Sequence, residues 1–215
     1  MKIRAQALLF DNDGTLVSSL ASVDRCWARW AEEYGITEAF GQVELHGRPA
    51  VEIVAELLPA GVVQEALARI ETLEVEDVPN GGVHLLPGTK ALLDSLPADR
   101  WAVVTSATRR LAEARLDAVG ILPKTMVTAD DITRGKPDPE PYLLAARELG
   151  VDPAHCVVFE DAPAGLAAGR AAGMTTVALT TTHQAHELDA DLVVRDLSAL
   201  SVLVTDRGVE ISGRG

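Results

Sequence analysis

The sequence predicts an α/β fold in which a parallel sheet is covered by helices on both faces and a run of helices is inserted after the first strand of that sheet. Three observations carry the prediction. Short apolar runs alternate with helical patterns, which is how successive βαβ units read in a sequence. The stretch 18–85 breaks that rhythm and holds no convincing β run. Polar clusters follow directly on several of the apolar runs, at the strand ends where open α/β sheets take their ligands.

In chain order, strands are predicted at 6–10, 101–105, 125–128, 156–159, 175–179 and 192–194. Helices are predicted over 109–119 and 139–149, because Gly120 and Gly150 stand where a left-handed cap ends a helix. In the inserted stretch Leu20, Val23, Trp27, Trp30, Ala31 and Tyr34 repeat at helical spacing, and Gly35 closes the element. Trp27 and Trp30 are read as packing residues of that insert. The insert is expected to form a small second domain over 18–82, with the core built from 1–17 and 83–215. The chain returns to the core near Gly81-Gly82, ahead of the Leu86-Pro87-Gly88 turn, and glycines at that crossing suit a hinge. Runs 202–205 and 209–212 flank Asp206-Arg207-Gly208 and read as a hairpin.

At 215 residues and 47% hydrophobic, the chain can bury a sizeable core. Its 32 acidic residues outnumber 19 basic ones, and the formal net charge of −13, without any Lys/Arg run, repels nucleic acid and anionic membranes at long range. A small diffusible substrate is the expected partner. No apolar run approaches the ~20 residues of a spanning helix, and Met1-Lys2-Ile3-Arg4 leads into only a short apolar stretch, so no secretory signal is expected and the expected location is the cytoplasm. Cys26 and Cys156 lack metal-ligand spacing and read as reduced, packed thiols. No pattern specifies an oligomeric state.

Four polar clusters carry chemistry. Asp11-Asn12-Asp13-Gly14-Thr15 follows Ala7-Leu8-Leu9-Phe10 and sets two carboxylates two residues apart, where they repel unless a cation or a shared proton relieves them. Alone, the run fits a turn of solvated aspartates equally well. Thr105-Ser106-Ala107-Thr108 follows Trp101-Ala102-Val103-Val104, and hydroxyls at a strand-to-helix junction suit either a phosphoryl group or simple helix capping. Arg134-Gly135-Lys136-Pro137-Asp138-Pro139 fixes one lysine between turn residues, in a chain whose other lysines are Lys2, Lys90 and Lys124. Phe159-Glu160-Asp161-Ala162-Pro163-Ala164-Gly165 again places acidic residues directly after an apolar run, as hard oxygen ligands for Mg²⁺.

Taken in order, these clusters resemble the motif set of the haloacid dehalogenase superfamily of aspartate-dependent phosphotransferases: Asp-x-Asp-Gly-Thr, a hydroxyl, Gly-Lys-Pro, then Glu-Asp-x-x-x-Gly. The helical insert and the Leu-Pro-Gly turn resemble its sugar-phosphate phosphatase and β-phosphoglucomutase branch. The resemblance implies a Rossmann-like core with a helical cap. It makes Asp11 the nucleophile that forms an aspartyl-phosphate and Asp13 the acid that protonates the leaving oxygen, then the base for water. Mg²⁺ would be held by Asp11, the Asp13 backbone carbonyl and Asp161, with Glu160 bound directly or one shell out. Lys136, the Ser106 hydroxyl and the Ala107 amide would stabilise the phosphoryl oxygens, with Thr105 as the other hydroxyl candidate and Ser106 preferred.

Departures from related families narrow the chemistry. Dehalogenases of this fold lack the second aspartate, so Asp13 points to a phosphate ester. Phosphonate-cleaving relatives use a lysine in the insert, and no lysine lies between Lys2 and Lys90. The expected function is Mg²⁺-dependent hydrolysis of a small sugar or polyol phosphate. His46, Gly47, Arg48 and nearby Glu44 are the candidates for facing the substrate from the cap. A phosphosugar mutase is the alternative. Such an enzyme carries a hinge histidine and a lid arginine where this chain has Val23 and Ala50, although Arg48 stands close to the second position. A non-catalytic phosphoryl-sensing module is the remaining reading, and it has no use for both Asp11 and Asp13.

Overall fold

The computed structural model describes residues 2–43, 45, 50–206 and 208–213. From the N-terminus, β1 (Lys2–Ala5), β2 (Ala7–Phe10) and β3 (Val17–Ser18) precede the helices α1 (Leu20–Glu33), α2 (Thr37–Phe40), α3 (Ala50–Leu57) and α4 (Val63–Asp77). The chain continues through β4 (His84–Leu85), α5 (Thr89–Asp94), β5 (Trp101–Val104), α6 (Arg109–Ala118), β6 (Met126–Val127), α7 (Glu140–Leu149) and β7 (Cys156–Glu160). It ends with α8 (Pro163–Ala171), β8 (Thr175–Leu179), β9 (Leu192–Val194), β10 (Leu200–Thr205) and β11 (Gly208–Gly213).

Six strands form one parallel sheet in the order β6-β5-β2-β7-β8-β9. Strands β2, β5 and β7 are buried along their whole length, which is why they read as apolar runs, β7 up to Phe159 with Glu160 as its last residue. Alternate side chains serve opposite faces. Leu8, Phe10, Val103, Val157 and Phe159 pack with Leu92 and Leu116, which lie on α5 and α6. On the other face Ala7, Leu9, Ala102, Val104 and Val158 pack with Tyr142, Ala145 and Ala146 from α7 and Ala168 from α8. The predicted class is the observed one: a Rossmann-like α/β core with helices inserted after its first parallel strand. Helices α6 and α7 follow the prediction, with Gly120 and Gly150 at φ 71° and 69°. Both cysteines are free and buried.

The N-terminal segment departs from expectation. The predicted strand 6–10 begins at Ala7, and Lys2–Ala5 is a separate strand in a second, antiparallel sheet of order β1-β11-β10. Its exposed–buried alternation spans only four residues, and its partner β11 lies at the opposite end of the chain, pairing Lys2 with Ser212 and Ala5 with Val209. The β10–β11 hairpin itself is as predicted. Ile3, Val209 and Ile211 join the core on the α5–α6 face of the parallel sheet.

Among the described residues, every element between β3 and β4 is helical, and these helices build their own apolar cluster. Trp27, Trp30, Ile53, Val54, Ile70 and Leu73 meet there, and the buried Trp30 indole donates to the Ala66 carbonyl at 3.0 Å. Leu20, the first position of the α1 pattern, is exposed. Two short segments lead into and out of these helices, Val17–Ser18 and His84–Leu85, and they pair antiparallel. Gly81 and Gly82 at the second crossing have φ of 83° and 102°. Among the described residues, no helix is long and apolar enough to cross a membrane.

Candidate active site

Strand β2 lies between β5 and β7, so the carboxyl ends of these three strands are neighbours at the sheet centre. Asp11 leaves β2 with its amide bonded to the Phe159 carbonyl at 3.0 Å, which ties the first acidic loop to the strand that delivers Glu160 and Asp161. The loop then wraps on itself. The Asn12 carbonyl accepts from the amides of Thr15, Leu16 and Val17, and the Gly14 amide donates to Val17 at 2.7 Å. Gly14 has φ +87°, and a Cβ there would overlap the Asp161 carboxylate, so the motif's glycine is required on both counts.

Lys136 reaches this point from the loop ahead of α7. Its three ammonium protons have three acceptors: Asp11 Oδ1 and Glu160 Oε1, both at 2.6 Å, and the Val104 carbonyl at 3.0 Å. The lysine therefore joins the ends of β2, β5 and β7. Burial alone would lower its pKa, but Asp11 and Glu160 outweigh this and hold the ammonium charged. Glu160 Oε1 also accepts from the buried Tyr142 hydroxyl at 2.6 Å. Helix α8 begins close by, and a Cβ at Gly165 would overlap the Glu160 carboxylate, which explains the spacing of Glu-Asp-x-x-x-Gly.

Asp11, Glu160 and Asp161 offer carboxylate oxygens that all lie within 4.8 Å of one another, and all three residues are buried. One ammonium faces three carboxylates, so their full ionisation leaves two negative charges uncompensated. Burial raises the Asp11 pKa well above the carboxylate range, Lys136 opposes the rise, and Glu160 and Asp161 add to it. Burial and the neighbouring Glu160 push Asp161 up to about 7. Crowded, hard, desolvated oxygens with this excess charge fit a small divalent cation.

The other predicted residues are placed as follows. Thr105 is buried at the end of β5, and its hydroxyl accepts from the Ala107 amide at 3.1 Å. Ser106 is exposed. Asp13 is not one of the three grouped carboxylates: its Oδ2 accepts from the Asn12 side chain at 3.2 Å and pairs with Arg115 at 3.0 Å. His46, Arg48, Gly47 and Glu44 lie outside the described residues.

Residues 5–173 match the model of the haloacid dehalogenase-like hydrolase family. The chain belongs to that family. The hydrolase is 37% identical over 211 residues to hexitol phosphatase A of Escherichia coli strain K12, a match covering 96% of this chain and 98% of that one. It is 38% identical over 200 residues to validoxylamine A 7'-phosphate phosphatase of Streptomyces hygroscopicus subsp. limoneus, covering 88% and 93%. Among solved structures, β-phosphoglucomutase from Clostridium difficile superposes with a TM-score of 0.74 at 24% identity over 90% of this chain and 92% of that one, which shows a shared fold.

Sequence reasoning missed several residues around the hydrolase's polar centre. The Thr181 hydroxyl donates to the Gly14 carbonyl and the Thr182 hydroxyl to Asp161, so the loop after β8 closes on both acidic loops. Thr180-Thr181-Thr182 follows an apolar strand like the other clusters and could have been counted with them. Tyr142 stands on the apolar face of α7 and carries a polar tip to Glu160. Arg115 was legible as a charge on the apolar face of α6, where Leu111, Ala112 and Leu116 are its buried neighbours.

Proposed function

We propose that the hydrolase is a Mg²⁺-dependent phosphatase that cleaves a small sugar or polyol phosphate through an aspartyl-phosphate. The observation that carries this reading is the buried meeting of Asp11, Lys136, Glu160 and Asp161 at adjacent strand ends. The relatives named above are, by their names, a hexitol phosphatase and a validoxylamine A 7'-phosphate phosphatase, which supports the substrate class.

The Asp11 carboxylate attacks phosphorus in line, and the bond to the leaving oxygen breaks as Asp13 delivers a proton to it. Asp13 then takes a proton from water, which attacks the aspartyl-phosphate and releases inorganic phosphate. Lys136 stays charged and balances the phosphoryl oxygens while fixing Asp11. Asp11, Asp161 and the Asp13 backbone carbonyl would hold Mg²⁺, with Glu160 as a further or outer ligand. When bound, the ion screens two anions from each other and stabilises charge in transfer. The helices of 18–82 act as a lid on the core formed by 1–17 and 83–215, hinged near Gly81-Gly82. Val23 packs against the insert's apolar cluster and Ala50 is exposed, so neither supplies a group for a second phosphate, and this favours hydrolysis over isomerisation.

Of the two hydroxyls we keep Ser106 against the phosphoryl group, with Thr105 as the other candidate. Ser106 is exposed at the carboxyl end of β5, whereas Thr105 is buried and its hydroxyl accepts from the Ala107 amide two residues on, a turn contact that simple helix capping also makes. Ser106→Ala is expected to lower kcat/KM by about 10²- to 10³-fold, the usual cost of one anion-stabilising donor, and Thr105→Ala by far less. The opposite order moves the role to Thr105.

The test of function is a panel of phosphorylated sugars and polyols, ranked by kcat/KM. Inorganic phosphate is the expected product, with Mg²⁺ required and Ca²⁺ inhibiting because its looser shell tolerates the wrong nucleophile geometry. Full activity in excess chelator, or an isomer formed from glucose 1-phosphate faster than phosphate is released, would overturn the reading.

A further inference from the structure

The α4–α6 contact carries a polar seam, and one end of it is Asp13. Arg115, on the core helix α6, is only 5% exposed, yet its guanidinium forks between two carboxylates of different elements: Nη1 to Asp13 Oδ2 at 3.0 Å and Nη2 to Glu74 Oε1 at 3.1 Å. Glu74 is a buried residue of the inserted helix α4. A second polar contact joins α4 to the N-cap of α6, the Thr108 hydroxyl donating to Glu71 at 2.7 Å. Helix α4 is bound in turn to α1, through Ser22 and Arg25 on Asp77 at 2.7 and 2.6 Å and through Cys26 on the Leu73 carbonyl at 3.4 Å. Glu74 thus belongs to the body of the insert, whereas Arg115 and Asp13 belong to the core.

We infer that Arg115 is a positioning residue for Asp13 and that Glu74 is the insert's hold on Arg115. The inference rests on the phosphatase reading above. Buried guanidinium placement is geometrically demanding, because the planar fork satisfies two carboxylates only when both stand in its plane. With Glu74 in place, Arg115 anchors one oxygen of Asp13. The other, Oδ1, is buried and has no hydrogen-bond partner among the described residues, which leaves it the oxygen of Asp13 to exchange a proton once substrate and water are admitted. Withdrawal of α4 removes the anchor of Arg115, so the acid is held in register only while the insert is seated on the core. The arrangement couples seating of the insert to the competence of one catalytic group without any residue of the insert touching that group.

The experiment uses the full chain with Mg²⁺ and follows leaving-group release in a single turnover. Sorbitol 6-phosphate, or the best alkyl ester of the panel, is compared with p-nitrophenyl phosphate, whose leaving group departs without a proton. Glu74→Ala is expected to slow release from the alkyl ester on the order of tenfold to 10²-fold, the scale of a misplaced catalytic group, and to leave the aryl ester nearly unaffected. Glu74→Gln, which keeps an oxygen for Arg115, should restore most of the rate. Arg115→Lys, one point charge for two carboxylates, should reproduce the selective loss and serves if Glu74→Ala does not fold. In an Asp13→Asn background, Glu74→Ala should add no further loss, since positioning matters only while the positioned group works. Equal losses on the two esters, or a full additional loss in the Asp13→Asn background, would overturn the inference and leave the phosphatase reading standing. Failure of the unaltered chain to cleave either ester would overturn both.

Discussion

Asp11→Asn is expected to keep the fold and abolish turnover, with a loss of roughly 10⁶-fold, the scale seen when a nucleophile is removed from a group of residues that act together. The amide matches the carboxylate in shape but has no anionic oxygen to attack phosphorus. Folding should survive because the substitution removes one of three crowded buried carboxylates while Lys136 keeps Glu160 and the Val104 carbonyl. Circular dichroism and thermal melting check the fold, phosphate release checks turnover, and beryllium fluoride should be trapped by the unaltered chain but not by the variant. Near-normal turnover in Asp11→Asn would remove the covalent mechanism altogether.

Asp13→Asn is expected to lower turnover of an alkyl phosphate by about 10²- to 10⁴-fold, the range for a positioned proton donor. The effect should depend on the leaving group. A sugar alkoxide cannot depart without a proton, whereas a nitrophenolate can, so release of the phenol in a single turnover should suffer much less. The side chain keeps its shape beside Arg115 and Asn12, so the fold is expected to hold. Equal losses on both esters would show that Asp13 does not protonate the leaving oxygen.

Much of the fold was readable because its signals are local. A strand buried on both faces must be an unbroken apolar run, and 101–104 and 156–159 are such runs; a helix on the sheet must show an apolar stripe and a cap, as α7 does with Gly150. β1 was not readable, because four alternating residues carry little periodicity and their partner is β11. The acidic, hydroxyl and lysine clusters were legible since each is contiguous and follows a strand. Thr182 and Tyr142 were not singled out, because a threonine after a strand and an aromatic on an apolar helix face have ordinary structural explanations; only their contacts with Asp161 and Glu160 distinguish them.

From residue order alone come the strands of the parallel sheet, the helices that cover it, the composition of each strand-end cluster and the excess of acid over base. The strand order β6-β5-β2-β7-β8-β9 comes from the tertiary structure, and it makes Asp11, Lys136, Glu160 and Asp161 one buried group rather than three separate loops. The same holds for Asp13, Arg115 and Glu74, which lie on a loop after β2, on α6 and on α4. Periodicity and turn chemistry belong to a contiguous segment and can be read from it. The ionisation and orientation of a buried charge depend on which distant segments exclude water around it and which opposite charge they bring, and that is decided only when the chain packs.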